Sequence, residues 1–196
     1  AKWNAQRMIV WMFLTGMRPC ESVRFWSNPE WGWNLIDLET GTIQVLKAIS
    51  KVRRWREILI KPALRAWLEK YRNHESWMTC NWRDKYGALR AAVLPAQKIV
   101  GDVARHTWHS YLLASGEPWT DVVLQAGNSK EIQLKHYARL VKNKAAVARY
   151  WDLTPDKFAQ FDLPEAELTL RARANRTRAL LVNRKKLPIG LGGEAA

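Results

Sequence analysis

Residues 33–60 read WNLIDLETGTIQVLKAISKVRRWREILI, and this stretch decides the fold class. Trp33–Leu38 and Thr42–Leu46 are short apolar-rich runs flanking Glu39-Thr40-Gly41, a three-residue connection ending in glycine, which is the pattern of a β-hairpin. Trp55–Ile60 is a third strand candidate, so Lys47–Arg54 becomes a basic turn between the second and third strands. Working outward, the periodicity is helical on both sides. Asn4–Leu14 is an apolar-rich helix closed by Thr15-Gly16 as a stop signal. Pro19 suits a first helical turn and Glu21 its anion-favouring N-terminus. Lys61-Pro62 opens a helix that runs to about Tyr71, and Asn73–Lys85 reads as a surface loop. From Gly87 onward, breaks at Pro95, Gly116-Glu117-Pro118, Gly127-Asn128 and Thr154-Pro155 delimit short helices. Residues 164–181 read as one more helix, and Gly190–Ala196 as a frayed end. The expected architecture is mainly α with a small three-stranded antiparallel β-sheet (α+β): residues 1–155 as one body, 156–196 as a basic helix and tail.

The chain has 196 residues, 47% of them hydrophobic, which is enough for a buried core and excludes a wholly disordered chain. The longest unbroken apolar run, Met8–Leu14, is seven residues, against the roughly 20 a membrane-spanning helix needs. No charged-then-apolar leader opens the sequence, and its first residues read as the middle of a helix, as expected of a fragment. Two cysteines, Cys20 and Cys80, lack metal-site spacing and fit a reducing cytosol. Thirty-two Lys+Arg against eighteen Asp+Glu leave a net charge of +14, divided as +9 on residues 1–98 and +5 on 99–196. Charge spread in this way calls for an anionic partner, and the usual one is nucleic acid. A membrane-surface protein concentrates such charge on one amphipathic helix, so no membrane partner is expected.

Four features stand at particular spacings. Thr15-Gly16-Met17-Arg18-Pro19-Cys20-Glu21 places an arginine just past a helix stop, with a glutamate three positions on. Ser50-Lys51-Val52-Arg53-Arg54 lies on the basic turn, and Arg105-His106-Thr107 opens a helix. Gly127-Asn128 comes 23 positions after Arg105, counted to Asn128, and Tyr137 follows nine further on. This layout resembles the catalytic domain of the tyrosine recombinases, the phage-integrase family, over residues 4–155. That family's pattern is a TGxRxxE segment, a hairpin lysine, HxxRHT, a Gly-His about 23 residues later, and a tyrosine nine beyond it.

The resemblance implies a site-specific DNA recombinase or integrase of a mobile genetic element, which cuts double-stranded DNA and rejoins it through a 3′-phosphotyrosine intermediate. Tyr137 would be the nucleophile, keeping the phosphate attached until a DNA hydroxyl reverses the link. Arg18 and Arg105 would clamp the non-bridging oxygens of the crowded phosphate. Lys51 would protonate the departing 5′-oxygen, with Lys47 as its rival. No metal or cofactor is implied. The implied partner set is duplex DNA with a homo-tetramer assembled on it, a monomer being possible when free, and the expectation is a catalytic domain without the family's N-terminal DNA-clamping domain. Two positions depart from the pattern. Asp102 stands where the family has its first histidine and cannot act as a cationic donor; it would accept a proton from Tyr137 or orient Arg105. Asn128 replaces the second histidine and keeps an amide donor without charge.

Plainer readings stand beside these. Arg18 can cap the preceding carbonyls, Arg105 can pair with Asp102 across one helical turn, and Lys51, Arg53, Arg54 and Arg56 can form a solvated basic turn or a phosphate clamp. Most of the twelve tryptophans are expected in the core, Trp11, Trp67 and Trp108 especially, with others as candidates to stack on bases. Residues 171–186 carry seven Arg or Lys and no acid: a solvated face, a DNA contact, or a helix docked on another subunit. A recombinase-like DNA binder that no longer cuts and a basic helical RNA-binding or structural protein are the alternatives. The last requires Arg18 and Arg105 to lie far apart.

Overall fold

The computed structural model describes residues 5–72, 102–128 and 141–159, together with positions 74, 77, 78, 82, 86, 87 and 131. The chain divides into two compact units, residues 1–82 with 100–161, and residues 83–99 with 162–196. Apart from Tyr86 and Gly87, all of the second unit lies outside the described residues, including Pro95 and the expected basic helix. Everything below concerns the first unit.

Its elements run α1 (Ala5–Thr15), α2 (Pro19–Ser27), a 3₁₀ turn (Gly32–Leu35), β1 (Ile36–Asp37), β2 (Thr42–Val45), β3 (Arg56–Leu59), α3 (Pro62–Lys70), α4 (Val103–Ala114), α5 (Trp119–Ala126), α6 (Lys144–Trp151) and α7 (Pro155–Ala159). The mainly helical α+β class is therefore correct. α1 occupies the centre, packed on α2, α3 and α4, and its Met8, Val10, Trp11, Met12 and Leu14 are all buried. α4 in turn carries α5 and α6, and α7 packs on α3.

The antiparallel sheet has order β1-β2-β3, with Ile36 opposite Ile43, Ile43 opposite Ile58 and Val45 opposite Arg56. The first strand is shorter than its apolar run predicts, because Gly32–Leu35 coils into the 3₁₀ turn before Ile36. The hairpin connection is also one residue longer than expected, since Asp37 pairs with Thr42. Asp37 Oδ1 accepts the backbone N–H groups of Glu39 and Thr40 at 2.8 and 3.0 Å, and Gly41 (φ 71°) turns the chain back. Period-two alternation then puts Ile43, Val45, Arg56 and Ile58 on the inner face. α5 packs on β3, where Gln125 Oε1 accepts the Leu59 N–H at 3.1 Å and satisfies an otherwise open edge.

Trp11, Trp67 and Trp108 are core residues, each no more than 1% exposed. Trp77 corrects the surface-loop expectation for residues 73–85. It is buried, stacks on Trp26 with ring centroids 6.0 Å apart, and meets Trp11 edge-on at 5.9 Å. Composition placed that segment outside; the large apolar area of one indole brought this part of it in.

Candidate functional site

The site begins where α1 ends. Gly16 closes α1 in the left-handed region (φ 62°), and a Cβ there would fall 2.5 Å from the Trp108 ring. Only a glycine satisfies both the backbone and the close approach to α4. Two residues on, Arg18 is extended (φ −62°, ψ 147°) and forms the N-cap of α2, with Pro19 in the first turn. Glu21 reaches back from that turn, its Oε2 accepting the Arg18 backbone N–H at 3.1 Å.

Glu21 is fully buried and is the hub of the cluster. Its Oε1 accepts the Lys51 backbone N–H at 2.9 Å and Arg18 Nη1 at 3.4 Å; its Oε2 also accepts Arg56 Nη2 at 2.8 Å. Burial alone would push this carboxyl up, but the Arg56 guanidinium and the Lys51 N–H together hold it below the ordinary carboxylate value. Arg56, 3% exposed, lies on the inner face of β3 and also donates to Ser50 Oγ at 3.5 Å. Gly127 (φ 64°) ends α5 against it, where a Cβ would stand 2.9 Å from Arg56 Cδ.

Arg105 comes from the first turn of α4, and α4 packs on both α1 and α5. Its Nη1 donates to the Gly16 carbonyl at 2.8 Å, and its Nη2 to the Ala126 carbonyl at 2.6 Å and Asn128 Oδ1 at 2.9 Å. Arg18 Nη2 donates to the same Asn128 oxygen at 2.9 Å. Two guanidinium donors settle which amide atom faces them, because the NH₂ side has nothing to accept with. Arg18, Arg105 and Asn128, drawn from three separate segments, therefore meet at one oxygen. Among the described residues, three arginines face one carboxylate and one neutral amide in a desolvated cluster. Arg105 is 2% exposed and Arg18 has a side chain 15% exposed, so an entering anion meets Arg18 first.

Several expectations change. Arg18 does not cap the preceding carbonyls; its guanidinium goes to Glu21 and Asn128. Arg105 turns to Gly16, Ala126 and Asn128, and Asp102 and Arg105 form no ion pair. Asp102 is the N-cap of α4 and half-buried, without a side-chain capping bond. The side chains of Lys51 and Lys47 are exposed and line one cavity of about 680 Å³, so the rivals share one surface. Tyr137 lies outside the described residues, as do His136 and Cys80.

Arg56 is the residue that sequence reasoning misplaced, grouping it with the solvated basic turn. The usable signal was alternation: Arg56 and Ile58 share a face, and Ile58 is apolar. His109, one helical turn after Arg105, stands at neither of the family's histidine positions and had no expected role. It is fully buried and its Nδ1 donates to the Arg105 carbonyl at 2.8 Å. Burial, then repulsion from Arg105, holds its imidazole well below the usual value. Among the described residues no group of three or more His, Cys, Asp or Glu side chains is placed to hold a metal ion, and no helix is long and apolar enough to cross a membrane.

No family model, curated protein or solved structure matches the chain.

Proposed function

We propose that this chain is the catalytic domain of a DNA strand-cutting and rejoining protein of the tyrosine recombinase kind. The observation that carries the reading is the meeting of Arg18 and Arg105 at Asn128 Oδ1, each at 2.9 Å, across 110 and 23 sequence positions. A chance match of short motifs gives no reason for two arginines so far apart to share one acceptor. In this reading Tyr137 attacks a DNA phosphate, Arg18 and Arg105 stabilise the charge that builds on its oxygens, and Lys51 protonates the leaving 5′-oxygen. Glu21 holds Arg18 and the Lys51 turn in register. Duplex DNA is the substrate, and phosphate contacts supply most of the affinity, so binding falls steeply with salt.

The test is covalent trapping on nicked duplex DNA, whose short cleaved fragment diffuses away and prevents rejoining. Mass spectrometry of the digested protein is expected to find a nucleotide on Tyr137 and none in Tyr137→Phe. A second reading, a DNA binder that no longer cuts, is favoured by the engagement of Arg105 with two backbone carbonyls and by the neutral Asn128. It predicts an adduct only in the Asp102→His, Asn128→His double variant, or none, with DNA binding intact in both.

A further inference from the structure

The turn that Glu21 holds through the Lys51 N–H borders a cavity lined by Arg24, Lys47, Ala48, Ser50, Lys51 and Arg53, four cations and no carboxylate. It is built before any ligand arrives. Arg24 Nη1 donates to the Ile49 carbonyl at 3.1 Å, which lays the guanidinium along the turn. The backbone N–H groups of Ile49 and Ser50 both donate to the Leu46 carbonyl, Arg53 N–H donates to the Ser50 carbonyl, and Lys51 N–H is held by buried Glu21. Arg53 itself takes a left-handed backbone (φ 53°), the one such non-glycine among the described residues. Four cations held around one concavity repel one another, and an anion relieves that repulsion.

A second feature adjoins it. Residues 51–55 are all exposed, and they end in Trp55, the one exposed tryptophan among the described residues, at 52%. Trp55 follows Arg53 by two residues, within about 7 Å of chain. Each other described tryptophan is buried or half-buried. An indole left in water two residues along the chain from a basic cavity of about 680 Å³ suits a nucleotide, whose base has a flat face to stack and whose backbone carries the charge.

We infer that this surface binds an unpaired stretch of nucleic-acid strand, with a backbone phosphate in the Arg24–Lys47–Arg53 cavity and a base stacked on Trp55. The inference rests on the nucleic-acid reading above and adds a preference for unpaired over fully paired DNA. An acidic protein segment would use the cations equally but has no comparable use for the indole.

The experiment measures binding, not cutting. Fluorescence anisotropy is recorded on a fully paired duplex and on the same duplex with a short single-stranded gap, across a salt series. Wild type, Trp55→Ala, Trp55→Phe and Lys47→Ala/Arg53→Asn are compared, asparagine being chosen because it tolerates the left-handed backbone. Trp55→Ala is expected to lose about 5- to 150-fold on gapped DNA, with little change on paired DNA and an unchanged salt slope. Trp55→Phe should recover most of the loss. Lys47→Ala/Arg53→Asn should weaken both and lower the salt slope by about two. Equal loss of both DNAs in Trp55→Ala, no loss in either, or an unaltered slope in the double variant overturns this inference alone, as does competition by polyaspartate that depends equally on Trp55. If the wild type binds neither DNA, the proposed function falls with it.

Discussion

Trp55 and Arg56 are neighbours in the chain, yet Trp55 is 52% exposed and Arg56 is 3% exposed. Around Arg56 lies a buried polar cluster in which Arg18, Arg56, Arg105, Glu21 and Asn128 answer one another over fixed distances. Around Trp55 lies a turn whose cations find no carboxylate partner among the described residues. The ordinary intuition is reversed here: the aromatic residue faces water and the charged one is inside. The difference teaches what burial does to an arginine. Inside, each N–H is expensive to leave unmade, so the guanidinium becomes a rivet between segments. Outside, water solvates the charge at no structural cost, and the side chain stays available to a ligand.

Removing the hub is the strongest way to break this comparison. Glu21→Ala leaves buried Arg56 facing no anion and frees the Arg18 and Lys51 N–H groups, so urea unfolding is expected to show a loss of about 3–5 kcal/mol. Glu21→Ala/Arg56→Met should recover part of it, because the orphaned charge goes as well. A loss below about 1 kcal/mol would mean that the cluster is not a structural unit.

Gly16→Ala tests the close passage beneath Arg105. The added methyl meets the Trp108 ring and the left-handed backbone resists it, giving about 1–3 kcal/mol from overpacking and about 1–2 more from φ. The control is Gly116→Ala, where φ is 93° but nothing stands within 4 Å of the new Cβ, so only the backbone cost remains.

Acid sharpens the comparison at a smaller scale. His109 stays neutral in the folded protein, while the unfolded chain takes up a proton near pH 6.5. Between that value and the lower folded one the unfolded state binds more protons, so His109's contribution is complete above about pH 6.5 and lost as pH falls. Glu21, lowered in the fold, adds to the loss only when pH drops below the ordinary carboxylate value of 4.5. Unfolding free energies from denaturant titrations between pH 7 and 5 should decline through His109 by up to about 1.4 kcal/mol per pH unit, and His109→Gln should flatten the profile.

The smallest expected effect belongs to the exposed turn. Arg54→Gln should leave stability within about 0.5 kcal/mol in the same unfolding assay. A larger loss would place Arg54 among the rivets and erase the contrast.

Much of the frame was legible from residue order because its causes are local. Glycine at 16 and 127 marks helix ends through a backbone few other residues adopt, proline at 62 starts α3, and alternation across 42–45 and 56–59 marks paired strands. The convergence of Arg18, Arg105 and Asn128 was legible only through a resemblance, since no local rule joins residues 110 positions apart. Glu21 was legible as the acid of α2's first turn, and there it accepts the Arg18 backbone N–H. The expectation failed where composition stood in for packing. Trp77 sits in a polar stretch but is drawn into the aromatic core, and Arg56 belongs to a basic run but points inward.

Local chemistry alone therefore set the helix stops, the strand pattern, the basic excess and the spacing of the candidate site. Tertiary structure decided which cations face one another, which oxygen they share and which indole stays in water. The physical reason is range. Backbone preference and side-chain period act over a few residues, whereas the pairing of a buried charge is settled only when distant segments exclude the water between them.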